Sequence, residues 1–103
     1  MQFTCDRESL VQAVAIVERA VATRDAMYLL TGILIDARAD QLKLVATDLE
    51  LGIECTLQAD VKRPGAVVVD GRLFGQLIRK LPGEQVQVEL GDGGGLAVVR
   101  SGG

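Results

Sequence analysis

Apolar side chains recur along the chain with two different periods, and the first of these periods is helical. Leu10, Val14, Val17 and Val21 are three or four residues apart, so they share one face of a helix. Asp6 stands just before this segment, and aspartate is a preferred N-cap because its carboxylate accepts hydrogen bonds from free backbone N–H groups. The pattern therefore predicts a short N-terminal strand followed by an amphipathic helix.

The period then changes to that of β-strands. Apolar or alternating runs occupy positions 29–37, 41–46 and 49–57. The last run alternates strictly, which places Glu50 and Glu54 together on its polar face. The first half of the chain is therefore predicted to continue from the helix into three strands.

After a polar connector at residues 58–65, the same order of patterns returns. A strand-like run leads to Asp70, which is a second candidate N-cap, and then to a helix that ends at Pro82 and Gly83. The apolar stripe of this helix consists of Phe74, Leu77, Ile78 and Leu81. The strand-like runs QVQVEL and LAVVRS follow. A shift of 64 residues places Asp6 on Asp70, and such a period indicates an internal repeat.

These patterns predict one α+β domain that spans residues 1–103. Its repeats cover approximately residues 1–58 and 65–103, and each reads strand–helix–strand–strand. The first repeat adds a fourth strand, which the second lacks. We expect the two helices to pack on one face of an antiparallel sheet.

Composition restricts the chemistry of the chain. The sequence has no histidine and only two cysteines, Cys5 and Cys55, which lie in apolar runs. Because zinc sites and histidine-dependent triads need side chains that are missing here, we expect no metal, no cofactor and no enzymatic activity. Both thiols are expected to be reduced core residues of a cytoplasmic protein. No apolar run is long enough to span a membrane.

Two polar stretches could be mistaken for functional sites. Asp48, Glu50 and Glu54 lie within seven residues, but no histidine or lysine-rich stretch accompanies them. We interpret them as the polar side of a strand and its turn. The stretch GDGGG at residues 91–95 does not match a phosphate-binding motif and leads into no helix, so we interpret it as a hairpin loop.

Several phrases of the sequence resemble a bacterial family. MQFTCDRESLVQAV, LLTGILIDA, ATDLELGIE and PGAVVVDGRLFGQLIRKLPG, followed by VRSG, are similar in order and spacing to the first domain of the bacterial sliding clamp, the DNA polymerase III beta subunit. The resemblance implies the DNA clamp fold and a protomer with three such domains. Family protomers pair head to tail into a ring around duplex DNA. Helices line the hole, and the ring tethers the polymerase without catalysing a reaction.

The resemblance also implies where this chain would contact DNA. On the second helix, Arg72, Gln76 and Arg79 are spaced i, i+4, i+7, with Lys80 beside them. Arg24, after the first helix, matches a family loop arginine that contacts the phosphate backbone. The alternatives are an ordinary solvated helix face and, for Arg24, a cation that complements the helix dipole. The net charge of −3 suits a ring that slides, because a few cations make only weak, salt-sensitive phosphate contacts.

The sequence departs from the family pattern in two places. Tyr28 stands where the family has a proline, and the match stops before the last strand of the domain. The resemblance then implies an unpaired edge at residues 95–100. With the second helix, this edge would join other clamp domains or copies of this chain.

The resemblance also bears on partners and location. Polymerase and clamp loader would bind through later domains of the family protomer, and the protein would act in the cytoplasm at the nucleoid. The alternative function is that of a structural or self-assembling module with no DNA function of its own.

Overall fold

The computed structural model describes residues 1–20, 32–47, 52–91 and 97–101. Its helices are α1 (Arg7–Val17) and α2 (Gly71–Arg79). A turn of 3-10 helix (Glu18–Ala20) follows α1 directly. Its strands are β1 (Gln2–Asp6), β2 (Gly32–Arg38), β3 (Gln41–Thr47), β4 (Gly52–Gln58), β5 (Asp60–Arg63), β6 (Gly65–Asp70), β7 (Gln85–Leu90) and β8 (Ala97–Ser101).

The described strands form two four-stranded sheets in which every pairing is antiparallel. Sheet 1 has the order β5-β1-β7-β8, and sheet 2 has the order β4-β3-β2-β6. Together with the two helices, this arrangement confirms the predicted α+β class. The sequence pattern did not reveal that the strands divide between two sheets.

The first strand of each predicted repeat lies in the sheet of the other repeat. β1 pairs with β7, where Phe3 is opposite Val88, and β6 pairs with β2, where Val67 is opposite Ile35. The alternation of apolar and polar residues along a strand determines which side chains face the core, but it does not determine which strand lies beside it. As a result of the exchange, side chains from both repeats enter one common core.

That core is mostly aliphatic, and it draws on both sheets and both helices. α1 packs against β3 and β4 of sheet 2 and against α2. The largest fully buried side chains are Phe3, Leu10, Ile33, Ile35, Leu42, Leu44, Ile78, Val14, Val17 and Val86. The predicted stripe of α1 is therefore confirmed for its first three members, whereas Val21 lies outside the described residues.

The connector at residues 58–65 is not merely polar, and this part of the prediction was wrong. It contains β5, which pairs with β1 at the edge of sheet 1. The side chain of Asp40 helps to fix the segment, since its carboxylate accepts a hydrogen bond from the backbone N–H of Val61 at 3.3 Å. Val61 is the only large apolar residue of this short strand, which is too weak a signal for alternation to reveal.

Both predicted N-caps are present and have the same geometry. Asp6 and Asp70 have extended backbone conformations, and each carboxylate accepts a hydrogen bond from the backbone N–H three residues later, at 2.9 Å. Each helix therefore starts directly from the end of a strand. The direct junction leaves little freedom in where the helix lies relative to its sheet.

The two cysteines differ in burial. Cys5 is 4% exposed, and burial, with a smaller contribution from the neighbouring Asp6 charge, raises the pKa of its thiol to about 12. The thiol therefore stays protonated and unreactive at neutral pH. Cys55 is partly buried, on the inward side of β4.

Several predictions concern residues outside the described ranges. These residues are Arg24, Tyr28, Asp48, Glu50 and the GDGGG stretch beyond Gly91. Within the described ranges, no helix combines the length and apolar character needed to cross a membrane.

Candidate nucleic-acid interface

α2 carries the predicted cationic stripe on its exposed side. Arg72, Gln76, Arg79 and Lys80 are all exposed, while Phe74 and Ile78 are buried on the opposite side of the helix. This division follows from the helical period, because residues three, four and seven positions apart lie on one face. The structure therefore brings these four predicted residues together on one surface, which we call the α2 face.

One apolar residue of α2 was assigned to the wrong side. Leu77 was predicted to be part of the buried stripe, but it is 45% exposed, and Leu73 one turn earlier is 66% exposed. The buried side of α2 consists of Gly71, Phe74, Gly75 and Ile78. At 3.6 residues per turn, Leu73 and Leu77 lie outside this side of the helix.

Arg79 is the member of the α2 face that contacts the other helix. Its Nη2 donates to the Glu18 carboxylate, 3.4 Å from Oε1 and 3.5 Å from Oε2. Glu18 is the C-cap residue of α1, so this ion pair connects the end of one helix with the end of the other. Part of the positive charge predicted for the α2 face is therefore neutralised within the molecule.

Arg72 and Lys80 are in a different situation. Neither side chain has a hydrogen bond or an ion pair with any residue that the structure describes. They are eight positions apart, which corresponds to about 12 Å along the helix axis. The α2 face thus presents two cations near the ends of one helix, with Gln76 between them as a polar donor. Arg24 was predicted to join them, but it falls in the undescribed range 21–31.

Cations on the strands are mostly paired, in contrast to Arg72 and Lys80. Four strand cations lie 2.8 to 4.0 Å from a carboxylate oxygen, in the pairs Arg38–Asp36, Lys43–Glu54, Arg63–Glu89 and Arg100–Glu89. Positive charge on the sheets is therefore largely balanced in place. Arg19 and Lys62 are exposed and also lack a carboxylate partner among the described residues. The α2 face differs from them in carrying two such cations on one described surface.

The exposed leucines of α2 border an apolar groove. Leu73 and Leu77 line it together with Val67, Val69 and Val99, and its volume is about 260 Å³. β6 and β8 each lie at the edge of a sheet, and the outer side of each has no partner strand among the described elements. The groove therefore combines apolar side chains with the free backbone groups of two edges.

The described residues contain no cluster of three or more histidine, cysteine, aspartate or glutamate side chains that could hold a metal ion. Glu54, from the acidic stretch discussed above, lies 3.9 Å from Lys43 on the neighbouring strand. This cross-strand pair agrees with its interpretation as part of a polar strand face.

Comparison with known proteins identifies close similarities along the whole chain. Residues 1–103 match the family model of the DNA polymerase III beta subunit, N-terminal domain. A beta sliding clamp of Micrococcus luteus is 38% identical over 101 residues, which are 98% of this chain and 33% of that protein. A beta sliding clamp of Bacillus subtilis is 31% identical over 110 aligned positions, which cover 99% of this chain and 29% of that protein.

Solved structures agree with these matches. The DNA polymerase sliding clamp of Bacillus subtilis superimposes with a TM-score of 0.93 at 31% identity, and the match covers 99% of this chain and 29% of that one. The clamp of Caulobacter crescentus gives 0.92 at 28% identity, with 99% and 28% covered. The present chain thus spans a third or less of the length of these relatives.

Proposed function

The chain belongs to the DNA polymerase III beta subunit family, in the part that forms the N-terminal domain, and on this premise we propose that it serves as one domain of a replicative sliding clamp. In this function the assembled clamp encircles duplex DNA and makes DNA polymerase III processive by topological tethering, without reading sequence. The domain, residues 1–103, performs no catalysis and acts in the cytoplasm, where it is associated with the nucleoid.

The observation that carries this proposal is the unequal distribution of paired charge. Arg72 and Lys80 on the α2 face have no partner among the described residues, whereas four of the five described strand cations are paired with carboxylates. Lys62 and Arg19 also lack a described partner, but each is a single cation on its own element. Phosphate binding needs cations that are available for contact, and each neutralised phosphate makes the binding constant more salt-dependent. Two or three contacts give weak attachment, which suits a ring that must move along DNA.

The proposed DNA-contacting residues are Arg24, Arg72, Gln76, Arg79 and Lys80. The arginines and the lysine would contact phosphates, and the Gln76 amide would donate a hydrogen bond to the backbone. None of these contacts distinguishes one base from another. Binding is therefore expected to be independent of sequence.

Fluorescence anisotropy with a labelled duplex of about 20 base pairs, roughly two helical turns, tests the proposal. At about 10 mM salt, where the Debye length is about 30 Å, the wild-type chain should bind weakly. Arg72→Gln and Lys80→Gln should each weaken binding and reduce the slope of log K against log salt by about one.

Lys43→Gln is the matched control, because it removes one positive charge from a cation already paired with Glu54 on β3. It should leave the slope nearly unchanged. Absence of binding at low salt, or an equal effect of all three substitutions, would argue against a specific role of the α2 face.

The groove between β6 and β8 supports a second role, in assembly. We propose that the β8 edge, within the predicted edge at 95–100, and α2 join other clamp domains or copies of this chain, with Leu73 and Leu77 covered in the contact. Polymerase and clamp loader would bind elsewhere on the family protomer. Analytical ultracentrifugation at increasing protein concentration tests this contact. The wild-type chain should associate, and Leu77→Glu should weaken the association. A wild-type chain that stays monomeric at all concentrations would argue against self-pairing.

A further inference from the structure

We propose that Glu18 limits the attraction of this surface for DNA by holding Arg79 in an ion pair. Arg79 then contributes less to phosphate binding than Arg72, although both belong to the α2 face. This inference rests on the proposed DNA contact of α2 and adds to it a residue that sets the strength of the contact.

The geometry of the pair is the first support. One Arg79 nitrogen is shared between both oxygens of the Glu18 carboxylate, at 3.4 and 3.5 Å. The Glu18 side chain is 23% exposed and that of Arg79 is 44% exposed, so water screens the pair only partly. A phosphate that approaches Arg79 therefore meets a carboxylate as well, and it must compete with that carboxylate for the same nitrogen.

Gly75 is the second and independent support. An added Cβ at Gly75 would overlap the Glu18 carboxylate, so Glu18 occupies the space above this glycine. Gly75 lies one turn before Arg79, where the buried side of α2 borders the α2 face. A glycine inside a helix costs roughly 1 kcal/mol relative to alanine, and here it leaves room for the carboxylate beside the arginine.

The two arginines of the α2 face are thus chemically unequal. Arg72 has no partner among the described residues, while Arg79 is already paired. Removal of the Glu18 charge should free one more cation for phosphate. Since each phosphate contact adds about 0.9 to the magnitude of the slope of log K against log salt, Glu18→Gln should steepen the slope by about that amount.

The experiment measures the slope of log K against log salt for four forms of the full chain, which bind the same duplex and make up a double-mutant cycle. They are the wild type, Glu18→Gln, Arg79→Gln and the double variant. The inference predicts that Arg79→Gln changes the slope little in the wild type but reduces it by about 0.9 when Glu18 is already glutamine. Equal reductions in both backgrounds would overturn it, because Arg79 would then contact phosphate regardless of Glu18.

Two further variants separate the ion pair from net charge. Gly75→Ala keeps every charge but displaces the Glu18 carboxylate, so it should steepen the slope in the same direction as Glu18→Gln. Glu54→Gln removes one negative charge from the outer side of β4 and should not change the slope. Thermal melts confirm folding, and if Gly75→Ala fails to fold, the four-variant cycle still decides.

The outcomes also distinguish this inference from the function on which it rests. If Arg72→Gln weakens binding but Glu18→Gln behaves like Glu54→Gln, only the role of Glu18 is refuted. If no variant binds DNA at low salt, the proposed DNA contact itself fails, and the inference fails with it.

Discussion

α1 and α2 start in the same way and are used differently. Each follows a strand directly, and each has an aspartate N-cap in an extended conformation, with φ of −68° at Asp6 and −65° at Asp70. α1 then buries Leu10, Ala13, Val14 and Val17, whereas α2 buries two large side chains and two glycines. α2 therefore contributes less apolar side-chain volume to the core than α1.

α1 therefore stabilises the fold mainly through buried side chains, whereas α2 has a larger share of its side chains at the surface. α1 packs against β3, β4 and α2, and its two charged residues, Arg7 and Glu8, are of opposite sign. α2 carries cations that have no partner among the described residues, and two exposed leucines, on a short helix. The same local start therefore serves stability in α1 and, in the proposed function, DNA contact in α2. Substitutions in the two helices test this division.

The largest expected effect lies in the core of α1. Leu10 is fully buried, so Leu10→Ala should reduce the free energy of unfolding by about 3 kcal/mol, because it removes buried methyl groups and leaves a cavity. The matched change on α2, Leu73→Ala, affects a side chain that is 66% exposed and should stay within about 0.5 kcal/mol of the wild type. Urea unfolding followed by circular dichroism measures both values. Equal losses would remove the distinction between the helices.

A smaller effect is expected where the two helices are alike. Asp70→Ala removes the acceptor for the Leu73 backbone N–H and should cost about 1 kcal/mol. Asp70→Asn keeps an acceptor of the same size and should recover most of that loss. The same urea experiment measures both variants. If alanine and asparagine are equivalent at this position, the cap does not stabilise α2.

The smallest expected effect is a pH-dependent contribution of Asp6, the N-cap of α1, to the stability of the fold. Hydrogen bonds from the backbone N–H and then the hydroxyl of Ser9 lower the pKa of Asp6 below its ordinary value of 3.8. When the pKa of a carboxyl is lower in the folded than in the unfolded state, its ionisation stabilises the fold at any pH above the unfolded-state pKa. This stabilisation is lost as the pH falls through the folded-state pKa. Wild type should therefore exceed Asp6→Asn in stability near neutral pH, and the difference should shrink below pH 3.8.

Urea midpoints of the two proteins, compared across this range, measure the effect. Because the carboxylate is exposed, the difference should be smaller than the loss in Asp70→Ala. A difference that persists unchanged at acidic pH would show that the Asp6 charge is not its source.

The sequence pattern predicted local structure well and spatial partners poorly. Both caps and the buried stripe of α1 follow from spacing alone, because they involve neighbours three or four residues apart. The exchange of β1 and β6 between sheets could not be predicted this way, since alternation does not identify a partner strand. β5 was missed because Val61 is its only large apolar residue.

The candidate site shows the same limit. The α2 face could be predicted from helical spacing, but the exposure of Leu77 could not, because the sequence does not show that the buried side of α2 includes Gly71 and Gly75. The Glu18–Arg79 pair joins residues 61 positions apart, and no local pattern signals it. The connection with DNA came from phrases shared with a family rather than from charge, since the chain is acidic overall.

The exchange of strands between sheets also sets the order in which a nascent chain can fold. Phe3 emerges from the ribosome early, but its neighbour in the sheet is Val88. At bacterial and eukaryotic synthesis rates of about 5–20 residues per second, β1 waits on the order of ten seconds for that neighbour. During this interval β5 is the one described sheet neighbour of β1 that has already been synthesised, so completion of sheet 1 is a late event of biosynthesis.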